Sequence, residues 1–243
     1  MPQVGDTDSI GFTSVTGGSG VAYKSGWAAH EAATDIKNQI VKRAAIIWDK
    51  DVTEIEYLHG SVRHKSDSEL KMSFKEIASQ INETGEPIIG KANINPGGTT
   101  GSYSALIADV QVDAETGKVD LLKLTAFQDV GYAIHPSYVE GQIQGGIAQG
   151  IGWALNEEYF FDDKGIMRNN SLLDYRMPIS LDLPDIEAVL VEVPNPNHPY
   201  GVKGVGEASI SCPLAAIANA INDAVGIRLR SLPMKPQKLQ EYL

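Results

Sequence analysis

The sequence predicts a mixed α/β (α+β) fold, mixed sheets packed with helices, on three observations. Apolar residues recur at steps of three and four over 29–47, two alternating segments face each other across 104–130, and an amphipathic stretch with clear end signals covers 213–225. At 243 residues and 42% hydrophobic, the chain can bury a real core.

In chain order, a turn-rich opening gives way after Gly20 to a helix whose stripe is Ala29, Ala33, Ile36, Ile40, Ala44 and Ile47. Residues 51–66 read as a hairpin turning at Gly60–Ser61, and Ser73 with Glu76 offers a capping box for a short helix to Ile81. The charged stretch 51–86 is a small peripheral lobe on what is otherwise one unit, 1–243. ALIADVQVD and VDLLKLTAFQDV, separated by ETGK, predict a β-hairpin over 104–130. A helix follows over 137–156, a strand over 186–193, and a last helix over 213–225, with Pro213 in its first turn and Gly226 as left-handed cap.

Composition excludes several function classes. Lys and Arg number 20 against 31 Asp and Glu, a net charge of −11, which argues against nucleic acid or an acidic membrane surface as partner. The single cysteine, Cys212, rules out an internal disulfide framework and a cysteine-ligated iron–sulfur or zinc site within this chain. The five histidines lack metal-ligand spacing, so no protein-held metal is predicted. No apolar run reaches a membrane span, and the start carries no signal-peptide pattern, which predicts a cytoplasmic protein.

Twenty-four glycines gather in a few clusters, where function is best sought. A GGSG loop feeding a helix presents free backbone N–H groups to an anion. Five glycines, at 141, 145, 146, 150 and 152, fall inside one predicted helix and cost it about 5 kcal/mol relative to alanine. Either that helix packs closely against a neighbour, or a bulky ligand lies along a strip of Gly141, Gly145, Ala148 and Gly152 with Gln142, Gln144 and Gln149 supplying amides. In YGVKGVGEAS, glycines at 201, 204 and 206 surround Lys203 and leave Glu207 just before a helix. A carboxylate walled in there by Val205 and apolar helix residues suits proton abstraction near neutral pH; its other reading is a partner of the helix dipole.

Four segments, in order, resemble the molybdenum hydroxylases, the xanthine dehydrogenase and aldehyde oxidase family, in their molybdopterin-binding subunit. They are GDTDS with TGGSG, the strand pair into QDVGYAIHP, EGQIQGGIAQGIGWAL, and GVKGVGE. The resemblance implies the C-terminal part of that subunit's molybdopterin-binding domain, about one-third of its length. It implies hydroxylation of an aldehyde or N-heterocycle with oxygen drawn from water, Glu207 serving as catalytic base. By motif match, the cofactor-binding residues are Gly17, Gly18, Ser19, Gly20, Val21, Asp129, Val130, Gln142, Lys203, Gly204, Val205 and Gly206.

The implied cofactor is molybdopterin, as the plain Mo-pterin or its cytosine dinucleotide. Gly20, where many relatives carry arginine, leaves both forms open. Iron–sulfur and flavin (FAD) groups would sit on other subunits. The implied partner is a larger molybdopterin-binding chain carrying the remaining cofactor loops, within an oligomer that acts on a small molecule. Alone, the chain is expected to be apo and to self-associate. A non-catalytic scaffold that keeps the fold without metal is the alternative.

Overall fold

The computed structural model describes residues 8, 15, 17–96 and 100–243. All of GDTDS except Asp8, and the glycines at 97 and 98, lie outside the described residues. The chain divides into two compact units, one of Met1–Tyr23 with Gly98–Leu243 and one of Lys24–Gly97. The second is wider than the lobe read at 51–86, because it takes in most of the long first helix.

That helix, α1, runs Val21–Trp48. Within the second unit its Ile40, Ala44 and Ala45 are buried with Ile55, Val62 and Ile77, whereas Ala29 and Ala33 are exposed. Strands β1 (Ile55–Leu58), β2 (Ser61–His64) and β3 (Lys71–Ser73) form an antiparallel sheet. Leu58 pairs with Ser61, so the turn sits at His59–Gly60, one residue earlier than the sequence suggested. Both turn residues are left-handed, the φ pattern of the two-residue hairpin turn that matches strand twist. Helix α2 (Phe74–Gln80) starts at the capping box: Ser73 Oγ accepts from Glu76 N, and Glu76 Oε2 accepts from Ser73 N.

In the first unit, β4 (Ser104–Val112) pairs antiparallel with β5 (Val119–Asp129), and β5 pairs in parallel with β6 (Asp185–Val191). A parallel neighbour requires a crossover, and α3 (Pro136–Leu155) supplies it. Helix α4 (Ala208–Val225) and the short α5 (Pro236–Gln240) complete the unit. Leu124 and Ala126 point inward from β5, and Ile143, Ile147 and Ile151 from α3; Ile217 and Ile221 join them from α4. Each of those isoleucines contributes about 1.5–3 kcal/mol by leaving water.

Helix α4 begins five residues before Pro213, which lies inside it rather than in its first turn. The sequence stripe began at Leu214 because Pro213 reads as a first helical position, although Ile210, four residues before Leu214, continues the same period. Proline removes one intrahelical bond there. Its ring is seated against Gly150 of α3, where an added Cβ would come within 2.7 Å of Pro213 Cγ. At the other end Gly226 is left-handed (φ 74°) and donates to Asn222 O, the C-cap the sequence predicted.

Candidate active site

Strand β5 ends at an ion pair buried within the first unit. Lys203 Nζ lies 2.6 Å from Asp129 Oδ2, with the two side chains 7% and 8% exposed. Asp129 Oδ1 accepts from Gly131 N at 3.1 Å. Gly201 O receives the N–H groups of Tyr132 and Asn195, and Gly131 pairs with Val202 across an antiparallel bridge. A Cβ at Gly131 would collide with Gly201 O, so the two backbones meet only because the residue is glycine. Buried His198 bonds Tyr23 O through Nε2 and accepts from Tyr200 N and Val202 N through Nδ1, which fixes the tautomer with the proton on Nε2. The loop 201–207 is thus bolted to a strand end and to the start of α1.

Glu207 is the last residue of that loop and the N-cap of α4. Its Oε2 accepts from Ser19 Oγ at 3.3 Å, and its backbone N donates to the same oxygen at 2.9 Å. Gly204 and Gly206 make room for this approach. A Cβ at Gly204 would lie 3.1 Å from Gly18 O, and one at Gly206 would lie 2.7 Å from Gln142 Oε1.

The glycines of α3 divide by role. Gly146 abuts Ser209 Oγ and Gly206 O, Gly150 abuts Pro213, and Gly152 abuts Glu157 and Pro178, so close packing explains these three. Gly141 and Gly145 have nothing within 4 Å of an added Cβ, and both line a cleft of about 300 Å³. Ser19, Gln142, Gln149, Gly206, Glu207 and Ile210 line the rest of it. A larger cleft, about 530 Å³, lies in the second unit between α1 and residues 91–96, and none of the motif residues lines it.

Of the residues named from sequence, Ser19, Gln142, Gly206 and Glu207 meet at the smaller cleft. Gly17, Gly18 and Gly20 form the turn that carries Ser19, and Val21 begins α1. Gly204 backs onto that turn, and Val205 packs on the hydrophobic core. Val130 is a core residue, and Asp129 and Lys203 spend their charges on each other. Gln144 differs from expectation: its amide donates to Ile186 O on β6, a structural bond. Glu207 is not walled in by apolar groups within this chain. It is exposed, at the edge of a cleft that is open to solvent.

The cleft fits part of a flat polar cofactor. Its floor is bare backbone at Gly141 and Gly145, its rim carries two glutamine amides and a serine hydroxyl, and its volume sits at the lower bound for ligand pockets.

The profile of the molybdopterin cofactor-binding domain matches residues 2–184. The xanthine dehydrogenase molybdenum-binding subunit of Escherichia coli O157:H7 is 33% identical over 241 residues, 97% of this chain and 32% of that subunit. CO dehydrogenase from Oligotropha carboxidovorans superposes with a TM-score of 0.86 at 27% identity, over 97% of this chain and 30% of that one. Quinoline 2-oxidoreductase from Pseudomonas putida 86 gives 0.75 at 30% identity, over 86% and 28%. The chain therefore spans about a third of the relatives it matches. By the family match, which covers most of its length, the chain belongs to the molybdopterin cofactor-binding domain family.

Proposed function

We propose that this chain is the C-terminal portion of a molybdenum-dependent hydroxylase of the xanthine dehydrogenase and aldehyde oxidase type, and that it contributes the base Glu207 and one wall of the molybdopterin site. The observation that carries this reading is the meeting of three glycine-rich segments, the 17–20 turn, the first half of α3 and the 201–207 loop, around one cleft with one carboxylate at its lip.

Gln142, Gln149 and the backbone at Ser19, Gly141, Gly145 and Gly206 would hold the cofactor. When bound, the molybdenum–pterin group supplies the two-electron oxidation of an aldehyde or N-heterocycle. Glu207 accepts the proton released as a water-derived oxygen attacks the substrate carbon, and its Oε1 is the oxygen left free, since Oε2 is engaged by Ser19. Asp129 and Lys203 act beneath the site: they hold the loop in place and leave no buried charge unpaired. The remaining walls, and with them exclusion of water, belong to a larger molybdopterin-binding chain. Iron–sulfur and FAD subunits and a cytoplasmic oligomer complete the reading.

Elemental analysis tests it. Molybdenum is expected near one atom per copy when the chain is purified with its larger partner, and near zero for the chain alone, because a half-site lacks most of the contacts that offset ordering costs. An assembled complex free of molybdenum would leave a scaffold role in its place.

A further inference from the structure

We propose that Ser19 is the positioning residue of Glu207, and that its one hydroxyl fixes the direction of the carboxylate. The inference rests on the reading of Glu207 as base and deepens it.

A serine hydroxyl has one proton to donate and two lone pairs. Here the proton goes to Glu207 Oε2 at 3.3 Å while a lone pair receives Glu207 N–H at 2.9 Å. The second bond satisfies an amide left without an intrahelical partner at the start of α4, where Glu207's own side chain makes no capping bond. The same oxygen therefore holds the main chain and the carboxylate of one residue. The side-chain torsions between them are closed into a hydrogen-bonded ring. An exposed glutamate otherwise samples many rotamers.

The turn is built to deliver that hydroxyl. Gly18 (φ 64°) and Ser19 (φ 52°) are both left-handed, and Gly20 N returns to Gly17 O at 3.3 Å. Glycine would occupy the Ser19 position with less strain, so the side chain there acts through what it bonds. Across the gap, a Cβ at Gly204 would come within 3.2 Å of Ser19 Cβ, and bare backbone at that position leaves the serine its seat.

Ser19→Gly removes the hydroxyl and suits the backbone, so it separates the clamp from the turn. In NMR on the full chain, Glu207 is expected to show one side-chain rotamer by its three-bond couplings, and averaged couplings in S19G. Exchange of the Glu207 amide with solvent is expected to rise at least about tenfold, with the Ile217 and Ile221 amides within about twofold of wild type. Couplings and exchange unchanged in S19G would overturn the proposal. If S19G does not fold, Ser19→Ala provides the same comparison. In the assembled enzyme the loss of aim is expected to lower kcat about 100-fold with KM held. A freed carboxylate with unchanged kcat upholds the clamp and counts against Glu207 as base. A fixed carboxylate overturns the clamp whatever kcat does.

Discussion

Lys203 and Asp129 form a buried ion pair, Nζ to Oδ2 at 2.6 Å, that ties the loop carrying Glu207 to the end of β5. The two residues are 74 positions apart, both side chains are largely buried, and neither lines the cleft. Removing one partner of such a pair strands the other. Lys203→Met is therefore expected to destabilise the chain by about 3–5 kcal/mol. Asp129→Asn added to it should recover most of the loss, since the amide oxygen still accepts from Gly131 N and no charge stays buried. Urea midpoints for the two variants check this. A double variant as unstable as the single one would show that the pair acts through something other than its charges.

The division of glycines on α3 separates stability from binding. Gly141→Ala and Gly145→Ala add a methyl in open space and a better helix former, so each should stabilise the isolated chain by about 0.5–1 kcal/mol. Both narrow the cleft, and cofactor loading of the assembled enzyme should fall. Gly146→Ala meets Ser209 Oγ and Gly206 O and should be destabilising instead, by about 1–3 kcal/mol. Thermal melts of the three variants provide the test.

Acid should loosen the first unit at identifiable carboxylates. A hydrogen bond from Lys123, across the β5–β6 pair, holds Glu187 below its ordinary 4.5. The backbone N–H of Glu115, then the side chain and N–H of Thr116, hold Asp113 below 3.8, and the N–H of Ile166 and of Lys164 do the same for Asp162. Depressed carboxylates bind fewer protons in the folded state than in the unfolded one. Their contribution is complete above about pH 4.5 and disappears as pH falls through 3.8 and below. Urea midpoints should be level between about pH 6 and 5 and drop below about 4.5, and Glu187→Gln should shrink the drop. Asp113 and Glu187 are exposed and Asp162 is half-buried, so salt should weaken the effect most for the first two. A midpoint flat to pH 3 would contradict the assignment.

Residues 171–181 contain no helix or strand and expose Leu172, Leu173 and Leu181 at 79%, 81% and 89%. Apolar side chains so bare are suited to contact with another chain. The chain alone is expected to self-associate at micromolar concentration, and Leu172→Glu with Leu181→Glu should return it to monomer. Sedimentation velocity distinguishes the two, and a monomeric wild type would remove the argument.

Local signals were legible in the sequence because they act over a few residues. The Ser73–Glu76 box, the strands of 104–130 and the Gly226 cap each depend on neighbours within one turn or one hairpin. The three-residue β3 was too short to show a period. Long-range partners were not legible. Ser19 caps α4 from 188 residues away, so the start of that helix carried no local signal, and Pro213 drew the boundary to itself. Glu207 and Lys203 were recognisable by their glycine-rich surroundings. That one faces the cleft while the other turns down to Asp129 depends on which backbones approach each other, and only the folded chain displays that.

Glu207→Gln in the assembled enzyme tests the account most directly, since it removes the proton acceptor and keeps size and hydrogen bonding. Molybdenum and pterin content should match wild type while turnover falls by about 100- to 10,000-fold. Wild-type turnover with full cofactor content would contradict the account.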